Sequence, residues 1–198
     1  MIAILDYGSG NLRSAERAFE LAADKVIVTS DPKICIEADG LVVPGVGAFA
    51  ACMEQFLNIG GREIIAARVA NSSPIFGICV GMQIFFDSSS EKKMSKGLGI
   101  LPGDISQIEA AILPHMGWNT VAAPAESKLF SGIADQSFYF VHSFAAKKRV
   151  SSAINSTSNY GEDFLAAVEK DFIVATQFHP EKSGAAGAKL ISNWVKSL

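Results

Sequence analysis

The sequence has few cysteines and almost no surplus charge, and each shortage excludes a class of protein. Only 3 of its 198 residues are cysteines. They form no Cys-x-x-Cys pair and leave one thiol over, so neither a disulfide framework nor a structural zinc site is predicted. The formal net charge of -3 offers nucleic acid no basic surface. We therefore expect a protein of the reducing cytoplasm that needs no metal or other cofactor and binds no nucleic acid.

Long apolar runs are also missing. No stretch approaches the roughly 18 apolar residues that a membrane-spanning helix needs. The first residues reach Asp6 without the basic segment of a signal peptide. Instead, a hydrophobic fraction of 49% is enough to bury a substantial core in a chain of this length. We predict one domain over residues 1–198 that does not enter a membrane.

Short apolar strands alternate with amphipathic helices in the first half of the chain, and short β segments dominate the second half. Such alternation predicts an open parallel sheet with helices on its faces. The predicted fold is therefore α/β, with an open, mostly parallel mixed sheet flanked by helices and with antiparallel strands in the second half. The polar stretch 87–96 is predicted to be a solvated loop, and its charges are assigned no function. The predicted strands are 1–5, 25–29, 40–43, 74–78, 104–108, 120–122, 137–141, 152–154, 164–169 and 172–177, and the predicted helices are 12–23, 48–57, 62–70 and 184–195.

A cysteine stands where the apolar strand 74–78 turns into a helix. The pattern Gly77-x-Cys79-x-Gly81 is the thiol counterpart of the Gly-x-Ser-x-Gly nucleophile elbow, in which small residues permit a strained turn. The amide groups and dipole of the following helix favour a thiolate. Cys79 is therefore a candidate nucleophile, and the alternative is an inert buried cysteine.

A histidine and a glutamate follow another apolar strand, at 172–177. A cysteine nucleophile needs a base that takes its proton, and that base needs a third group to orient it. His179 and Glu181, separated by Pro180, fit those two roles. Ligand sites of open α/β sheets lie beyond the carboxyl ends of strands, where both motifs are predicted. The alternative is a surface turn with no catalytic role.

Two loops could supply the amide groups that stabilise an oxyanion. The amide of Val80 directly follows the candidate nucleophile. The glycine-rich turn 45–47 also follows a predicted strand and precedes a helix, so its amides could point into the same crevice. A turn of purely structural importance is the alternative.

These motifs resemble the class I (triad) glutamine amidotransferases. The resemblance rests on Gly77-Ile-Cys-Val-Gly-Met-Gln83 and Phe178-His-Pro-Glu181. Three further motifs are similar to those of one subfamily, the glutaminase subunits of imidazole glycerol phosphate synthases. They are Pro44-Gly-Val-Gly-Ala-Phe49, Pro114-His-Met-Gly-Trp-Asn119 and Tyr139-Phe-Val-His-Ser143.

The resemblance implies hydrolysis of glutamine to glutamate and ammonia through a thioester on Cys79. His179 would shuttle protons and Glu181 would orient it. The implied oxyanion hole contains Val80 together with the 45–47 turn, whose peptide would first reorient. One departure is Phe144, where the family usually carries tyrosine, so a hydroxyl contact is lost. The implied oxyanion residues are Val46, Gly47 and Val80, and the implied glutamine-binding residues are Gly47, Gln83, His142, Ser143 and Phe144.

The resemblance also implies a partner. In this subfamily the ammonia passes to a separate (β/α)8-barrel cyclase, which makes imidazole glycerol phosphate and an aminoimidazole carboxamide ribonucleotide in histidine biosynthesis. An exposed tryptophan suits such an interface, although a core position for Trp118 is the alternative. The residues implied at the interface and ammonia exit are Asn11, His115, Trp118, Asn119, Tyr139 and Lys182.

Two other functions are compatible with parts of the sequence. The chain could supply ammonia to another synthase, in surface-sugar amination or vitamin B6 synthesis, although the His-Met-Gly-Trp-Asn motif disfavours the latter. A non-catalytic binding module could also keep this fold. The complete set of Cys79, His179 and Glu181 argues against that reading.

Overall fold

Helices and strands alternate in the first half of the chain, and strands dominate the second. The computed structural model describes residues 1–134 and 136–198. The helices are α1 (Leu12–Glu20), α2 (Pro32–Glu37), α3 (Phe49–Asn58), α4 (Gly61–Ala70), α5 (Val80–Gln83) and α6 (Gly184–Val195), with a 3-10 turn at Pro180–Lys182. The strands are β1 (Ile2–Leu5), β2 (Val26–Thr29), β3 (Gly40–Gly45), β4 (Ile75–Cys79), β5 (Ser88–Ser89), β6 (Ser95–Lys96), β7 (Asp104–Gln107), β8 (His115–Thr120), β9 (Ser137–His142), β10 (Phe144–Ala146), β11 (Ile154–Tyr160), β12 (Glu162–Lys170) and β13 (Ile173–Thr176).

The main sheet has the strand order β11-β12-β13-β4-β3-β1-β2. From β13 to β2 neighbouring strands are parallel. β12 and β11 add to one edge in antiparallel fashion. The predicted α/β fold, with a mostly parallel sheet and antiparallel strands in the second half, is confirmed. The strands predicted at 164–169 and 172–177 correspond to β12 and β13, which pair in antiparallel fashion.

The carboxyl ends of three neighbouring strands meet at one edge of this sheet. Gly45 at the end of β3 pairs with Cys79 at the end of β4. On the other side of β4, Thr176 at the end of β13 pairs with Ile78. The register therefore brings the glycine-rich turn, the cysteine elbow and the segment after β13 to one place, where open α/β sheets bind ligands.

The core is aromatic and aliphatic, and its packing fixes the strands that deliver these ends. The residues of β1, β3 and β4 are all buried, as expected for central strands covered on both faces. α1 turns Ala15 and Phe19 inward. The Phe19 ring packs edge-on against Phe76 of β4 and Trp194 of α6. Burying each such ring contributes about 1.5–3 kcal/mol.

Two smaller sheets cover the carboxyl edge of the main sheet. One has the order β10-β7-β5-β6, and the other is an antiparallel ribbon of β8 and β9. The ribbon is bonded to the turn after β13. The carbonyl of Tyr139 accepts the amide of His179 at 2.9 Å, and the amide of Tyr139 donates to Ser183 Oγ at 3.0 Å.

Several local predictions differ from the structure. The strand predicted at 152–154 is β11, which runs over Ile154–Tyr160, and β10 was not predicted. Helix α2 was not predicted, although Asp31 caps it by accepting the amide of Lys33 at 2.8 Å and Pro32 occupies its first turn. The stretch 87–96, predicted as a loop, contains β5 and β6, because each of these two-residue strands finds a partner in the folded chain. The strand predicted at 120–122 is instead β8, which ends at Thr120.

The helices in residues 1–134 and 136–198 include none that is both long and apolar enough to cross a bilayer.

Candidate active site

Cys79 occupies a strained turn between β4 and α5. Its backbone has φ 56° and ψ -115°, a conformation that costs a non-glycine residue about 1–3 kcal/mol. The turn closes because its neighbours lack side chains. A Cβ atom on Gly81 would lie 1.9 Å from the carbonyl oxygen of Val43, and one on Gly45 would lie 2.5 Å from the amide nitrogen of Gly81. This is the geometry of a nucleophile elbow.

One buried glutamine donates a hydrogen bond to the sulfur, and a second buried glutamine holds the first. Gln177 Nε2 donates to Cys79 Sγ at 3.7 Å. Gln83 Nε2 in turn donates to Gln177 Oε1 at 3.0 Å and to the carbonyl oxygen of Phe144 at 2.8 Å. Because each amide group is held from two sides, the donor aimed at the sulfur is already in place before a ligand arrives.

His179 and Glu181 form a buried pair beside the cysteine. His179 Nδ1 lies 2.8 Å from Glu181 Oε1, and the two side chains are 3% and 4% exposed. The carboxylate therefore holds the proton on Nδ1 and leaves Nε2 for proton exchange. His179 Nε2 is buried and has no hydrogen-bond partner among residues 1–134 and 136–198.

The electrostatics of this pair favour an imidazolium. Burial lowers the pKa of His179, but the negative charge of the Cys79 sulfur and the Glu181 carboxylate outweigh that effect and raise it to about 10. A positively charged base beside the sulfur suits a cysteine nucleophile, because the thiolate is the reactive form of a thiol.

In the glycine-rich turn the Val46 amide is bonded to Ser9. The amide of Val46 donates to Ser9 Oγ at 3.2 Å, and Ser9 Oγ donates to the carbonyl oxygen of Val46 at 3.0 Å. Gly47 has φ 87°, and a Cβ atom there would meet nothing within 4 Å. In this conformation the Val46 amide is engaged away from the sulfur, so the predicted oxyanion role requires the peptide to leave Ser9.

These elements enclose one cavity at the carboxyl edge of the sheet, with a volume of about 450 Å³. The predicted catalytic, oxyanion and glutamine-binding residues all line it except Glu181, which lies behind His179. Lys182, predicted at the partner interface, lines it as well. The lining residues are Val46, Gly47, Cys79, Val80, Gln83, Glu91, Pro114, Val141, His142, Ser143, Phe144, His179 and Lys182.

Two lining or supporting residues were missed by the sequence analysis. Glu91 lies in the 87–96 stretch, to which no function was assigned, and its Oε2 accepts the amide of Phe49 at 2.7 Å. That bond joins the stretch to the N-terminus of α3, which favours a negative charge. No local pattern marks Glu91. Gln177 did carry a signal, because an amide side chain inside the apolar run before Phe178 must find polar partners.

The ribbon of β8 and β9 separates the residues predicted at the partner interface. Trp118 points outward and is 60% exposed, and its ring meets that of Tyr139 edge-on at 6.1 Å. His115 points inward and is 3% exposed, so its side chain lies on the inner face of the ribbon. The cause is the two-residue period of the strand, which places neighbouring side chains on opposite faces.

The other two residues predicted at the interface lie elsewhere on the surface. Asn11 caps α1 by accepting the amide of Ser14 at 3.4 Å. Lys182 is exposed in the turn that follows His179.

The inner face of the ribbon holds two neutral histidines. His115 Nδ1 and His142 Nε2 lie 3.0 Å apart. Burial lowers the pKa of His115 to about 4. Burial also lowers the pKa of His142, to about 3, and the neighbouring His115 adds to the effect. Neither ring carries a charge near neutral pH, and both are available as hydrogen-bonding groups.

Comparison with known proteins gives consistent results. The family described as "Glutamine amidotransferase class-I" matches residues 3–198. The chain is similar to the imidazole glycerol phosphate synthase subunit HisH of Corynebacterium glutamicum, with 52% identity over 207 residues covering 100% of this chain and 98% of the relative. The corresponding subunit of Thermobifida fusca is 49% identical, with the same coverage. A crystal structure of a glutamine amidotransferase covers 98% of this chain and 97% of its own, with a TM-score of 0.78 at 15% identity, which shows the fold alone.

Proposed function

The chain belongs to the class I glutamine amidotransferase family, and on this premise we propose that Cys79, His179 and Glu181 release ammonia from glutamine for a cyclase partner. Identity near one half over the whole chain to HisH subunits makes it the glutamine amidotransferase subunit of an imidazole glycerol phosphate synthase, an enzyme of histidine biosynthesis. The observation that carries the site assignment is the convergence of three strand ends on one cavity around the Cys79 sulfur.

The reaction begins with the thiolate. Cys79 Sγ attacks the side-chain amide carbon of glutamine, and His179 gives its proton to the nitrogen that leaves as ammonia. The resulting thioester is attacked by a water molecule whose proton His179 takes. Breaking the carbon–sulfur bond then releases glutamate and restores the thiolate. Glu181 keeps the proton on Nδ1 throughout, so that Nε2 performs each transfer.

Two amides stabilise the oxyanion in this proposal. The Val80 amide is at the first position of α5, where helical amides have no intrahelical acceptor. The second donor is an amide of the Val46 and Gly47 turn, and it becomes available when Val46 leaves Ser9. One lost oxyanion donor costs roughly 100- to 1000-fold in kcat. The chain alone is therefore expected to hydrolyse glutamine slowly, and partner docking to accelerate it.

The cavity lining contains side chains of both charges, those of Glu91 and Lys182, for the charged main-chain groups of glutamine. Glu91 is the lining carboxylate that can pair with the α-ammonium group. The proposed glutamine-binding residues Gly47, Gln83, His142, Ser143 and Phe144 line the other side. Phe144 packs over the substrate without a hydroxyl contact.

Ammonia leaves toward a (β/α)8-barrel cyclase in this proposal. The partner covers the outer face of the β8–β9 ribbon, with Trp118 and Tyr139, together with Asn11 and Lys182. Asn119 contributes from the ribbon's inner face. We place the complex in the cytoplasm, where the free thiols of Cys35, Cys52 and Cys79 stay reduced.

Replacement of the nucleophile tests the assignment. Cys79→Ala, assayed with the cyclase subunit, is expected to abolish glutamine-dependent synthesis of imidazole glycerol phosphate and to preserve synthesis from added ammonium salt. Cys35→Ala is the matched control, because this buried cysteine belongs to α2 and its sulfur contacts the carbonyl of Thr29, and the variant should keep both activities. Retained glutamine-dependent synthesis in Cys79→Ala, or loss of both activities, would refute the proposed division of labour.

A further inference from the structure

A continuous chain of hydrogen bonds runs along the inner face of the β8–β9 ribbon toward the active-site sulfur. Asn119 Nδ2 lies 3.3 Å from His115 Nε2, and His115 Nδ1 lies 3.0 Å from His142 Nε2. His142 Nδ1 lies 3.1 Å from the carbonyl oxygen of Phe144. That carbonyl also accepts Gln83 Nε2, which leads through Gln177 to Cys79 Sγ.

The direction of every bond in this chain follows from its two ends. The carbonyl of Phe144 can only accept, so His142 Nδ1 carries a proton and its Nε2 is an acceptor. His115 Nδ1 must then donate, which leaves His115 Nε2 to accept from Asn119. The other end agrees, because Asn119 Nδ2 also donates to the carbonyl of Asn159 at 2.9 Å, and Asn119 Oδ1 accepts the amide of Thr120 at 2.8 Å.

Aromatic packing holds His115, in the middle of this series of hydrogen bonds, in place. The His115 ring stacks on Tyr160 at 4.1 Å and on Phe140 at 4.9 Å between ring centroids. His115 and His142 are also directly opposed in the ribbon register. Their low pKa values keep both rings neutral, which the alternating pattern of donors and acceptors requires.

We propose that His115 is a positioning residue, which transmits the position of the partner-facing ribbon through His142 and the Phe144 carbonyl to the glutamine-binding strap Ser143–Phe144 and to Gln83. The proposal rests on the function proposed above. Trp118 on the outer face and His115 on the inner face belong to the same strand, so a partner that presses on one displaces the other. The sequence analysis placed His115 only at the partner interface, whereas its contacts place it within this series of hydrogen bonds.

Two substitutions of His115 separate a relay from simple packing. His115→Phe keeps an aromatic ring between Tyr160 and Phe140 but removes both hydrogen bonds. His115→Gln can still donate to His142 and accept from Asn119 but loses the stacking. Relay and packing therefore predict opposite rankings of the two variants.

The variants are compared in the complex with the cyclase subunit. His115→Phe is expected to raise the KM for glutamine about tenfold, because a lost buried hydrogen bond is worth roughly 1.4 kcal/mol, a factor of ten, while ammonia-dependent synthesis is unchanged. His115→Gln is expected to keep KM within about twofold of wild type and to melt at a lower temperature. A wild-type KM in His115→Phe, or a KM that rises in both variants in parallel with lost thermal stability, would overturn the relay.

A measurement on the free wild-type chain tests the same proposal without activity. Long-range 1H–15N correlation spectra at pH 7 should show His115 and His142 as neutral rings with the proton on Nδ1. An Nε2-protonated or charged ring at either position would overturn the relay. A wild-type complex without glutaminase activity would instead contradict the proposed function, so the two failures are distinguishable.

Discussion

Cys79 combines a left-handed backbone with a buried sulfur, and its neighbours compensate for both. The glycines at 45 and 81 leave room for the turn. The side-chain amide of Gln177 donates a hydrogen bond to the sulfur. The site therefore depends on residues that never touch the substrate, and their loss should appear as weaker chemistry more than as weaker binding.

Glu181→Gln tests the residue that orients the base. The substitution keeps the shape but removes the charge that helps to raise the pKa of His179, and it lets Nδ1 accept instead of donate. We expect kcat for glutamine hydrolysis in the complex to fall roughly 100- to 10,000-fold with KM little changed. An NMR titration should show the pKa of His179 below its wild-type value. Lys182→Gln, one residue along the same turn, is the control for the titration.

The opposite result would remove Glu181 from the mechanism. If Glu181→Gln hydrolysed glutamine at the wild-type rate, or if the pKa of His179 stayed near its wild-type value, the carboxylate would have only a structural role. Synthesis from ammonium salt should be unaffected in either case, which provides an internal check on folding and assembly.

Single residues differ in how well the sequence predicts them. Cys79, His179 and Glu181 stand in short motifs, and the neighbouring residues alone are enough to predict their chemistry. Glu91 stands in a run of mixed charge and reaches the cavity only because β5 pairs with β7. The Val46 orientation depends on Ser9, 37 residues away. Contacts that form only in the tertiary structure, such as these two, cannot be predicted from a local sequence pattern.

The two faces of the β8–β9 ribbon carry different kinds of side chain. Its outer face carries exposed apolar groups such as Met116 and Trp118. Its inner face carries His115, Gly117 and Asn119. A period of two in His-Met-Gly-Trp-Asn-Thr would have predicted this division, but the stretch is short and contains a glycine, and we predicted a strand only from residue 120.

Protons on the ribbon histidines should control acid stability. The pKa values of His115 and His142 are lowered from 6.5 to about 4 and about 3. Their contribution to stability is therefore complete above pH 6.5 and is lost as the pH falls toward those values, because the unfolded chain takes up protons that the folded chain refuses. Two such groups give a slope of at most about 3 kcal/mol per pH unit. Urea unfolding between pH 5 and 6.5, where carboxylates remain ionised, measures it.

His115→Phe is the matched variant for this slope. It removes one of the two titrating groups and should reduce the pH dependence in that window by about half. The raised pKa of His179 does not interfere, because its contribution is present below pH 6.5 and is lost only as the pH rises toward about 10. An unchanged slope in His115→Phe would show that the ribbon histidines do not govern acid stability.

On the scale of the whole molecule, two exposed apolar side chains lie at the cavity or on the ribbon beside it. Val46, which lines the cavity, is 42% exposed, and Trp118 on the adjoining ribbon is 60% exposed. Exposed aromatic anchors beside a catalytic opening are typical of protein interfaces. A partner seated there would cover the cavity through which ammonia must leave.

Trp118→Ala should separate binding from stability. Because the side chain is largely exposed, the melting temperature of the free chain should change little. Affinity for the cyclase subunit should fall about 30-fold or more, the equivalent of about 2 kcal/mol, as expected for a central aromatic anchor. Isothermal titration calorimetry measures the affinity. Leu21→Ala, at an 81% exposed position on the far end of α1, is the control and should bind normally; equal affinity of both variants would place the interface elsewhere.

The global fold was more predictable than its details. Apolar strands such as 1–5 and 74–78 are buried on both faces and therefore read clearly as continuous apolar runs. In the small sheet only β7 was predicted, at 104–108, whereas β5, β6 and β10 have two or three residues, which are too few for any periodicity to appear. Such strands exist only because the rest of the chain brings their partners together.

The alternation along β8 also limits how this protein can diverge. Substitutions at Met116 or Trp118 can follow changes in a partner while the inner residues stay as they are. Inserting or deleting one residue within the strand would exchange its two faces at once, turning Trp118 inward and His115 outward. The outer and inner faces of β8 can therefore vary independently by substitution, but the length of this strand between Pro114 and Thr120 must stay constant.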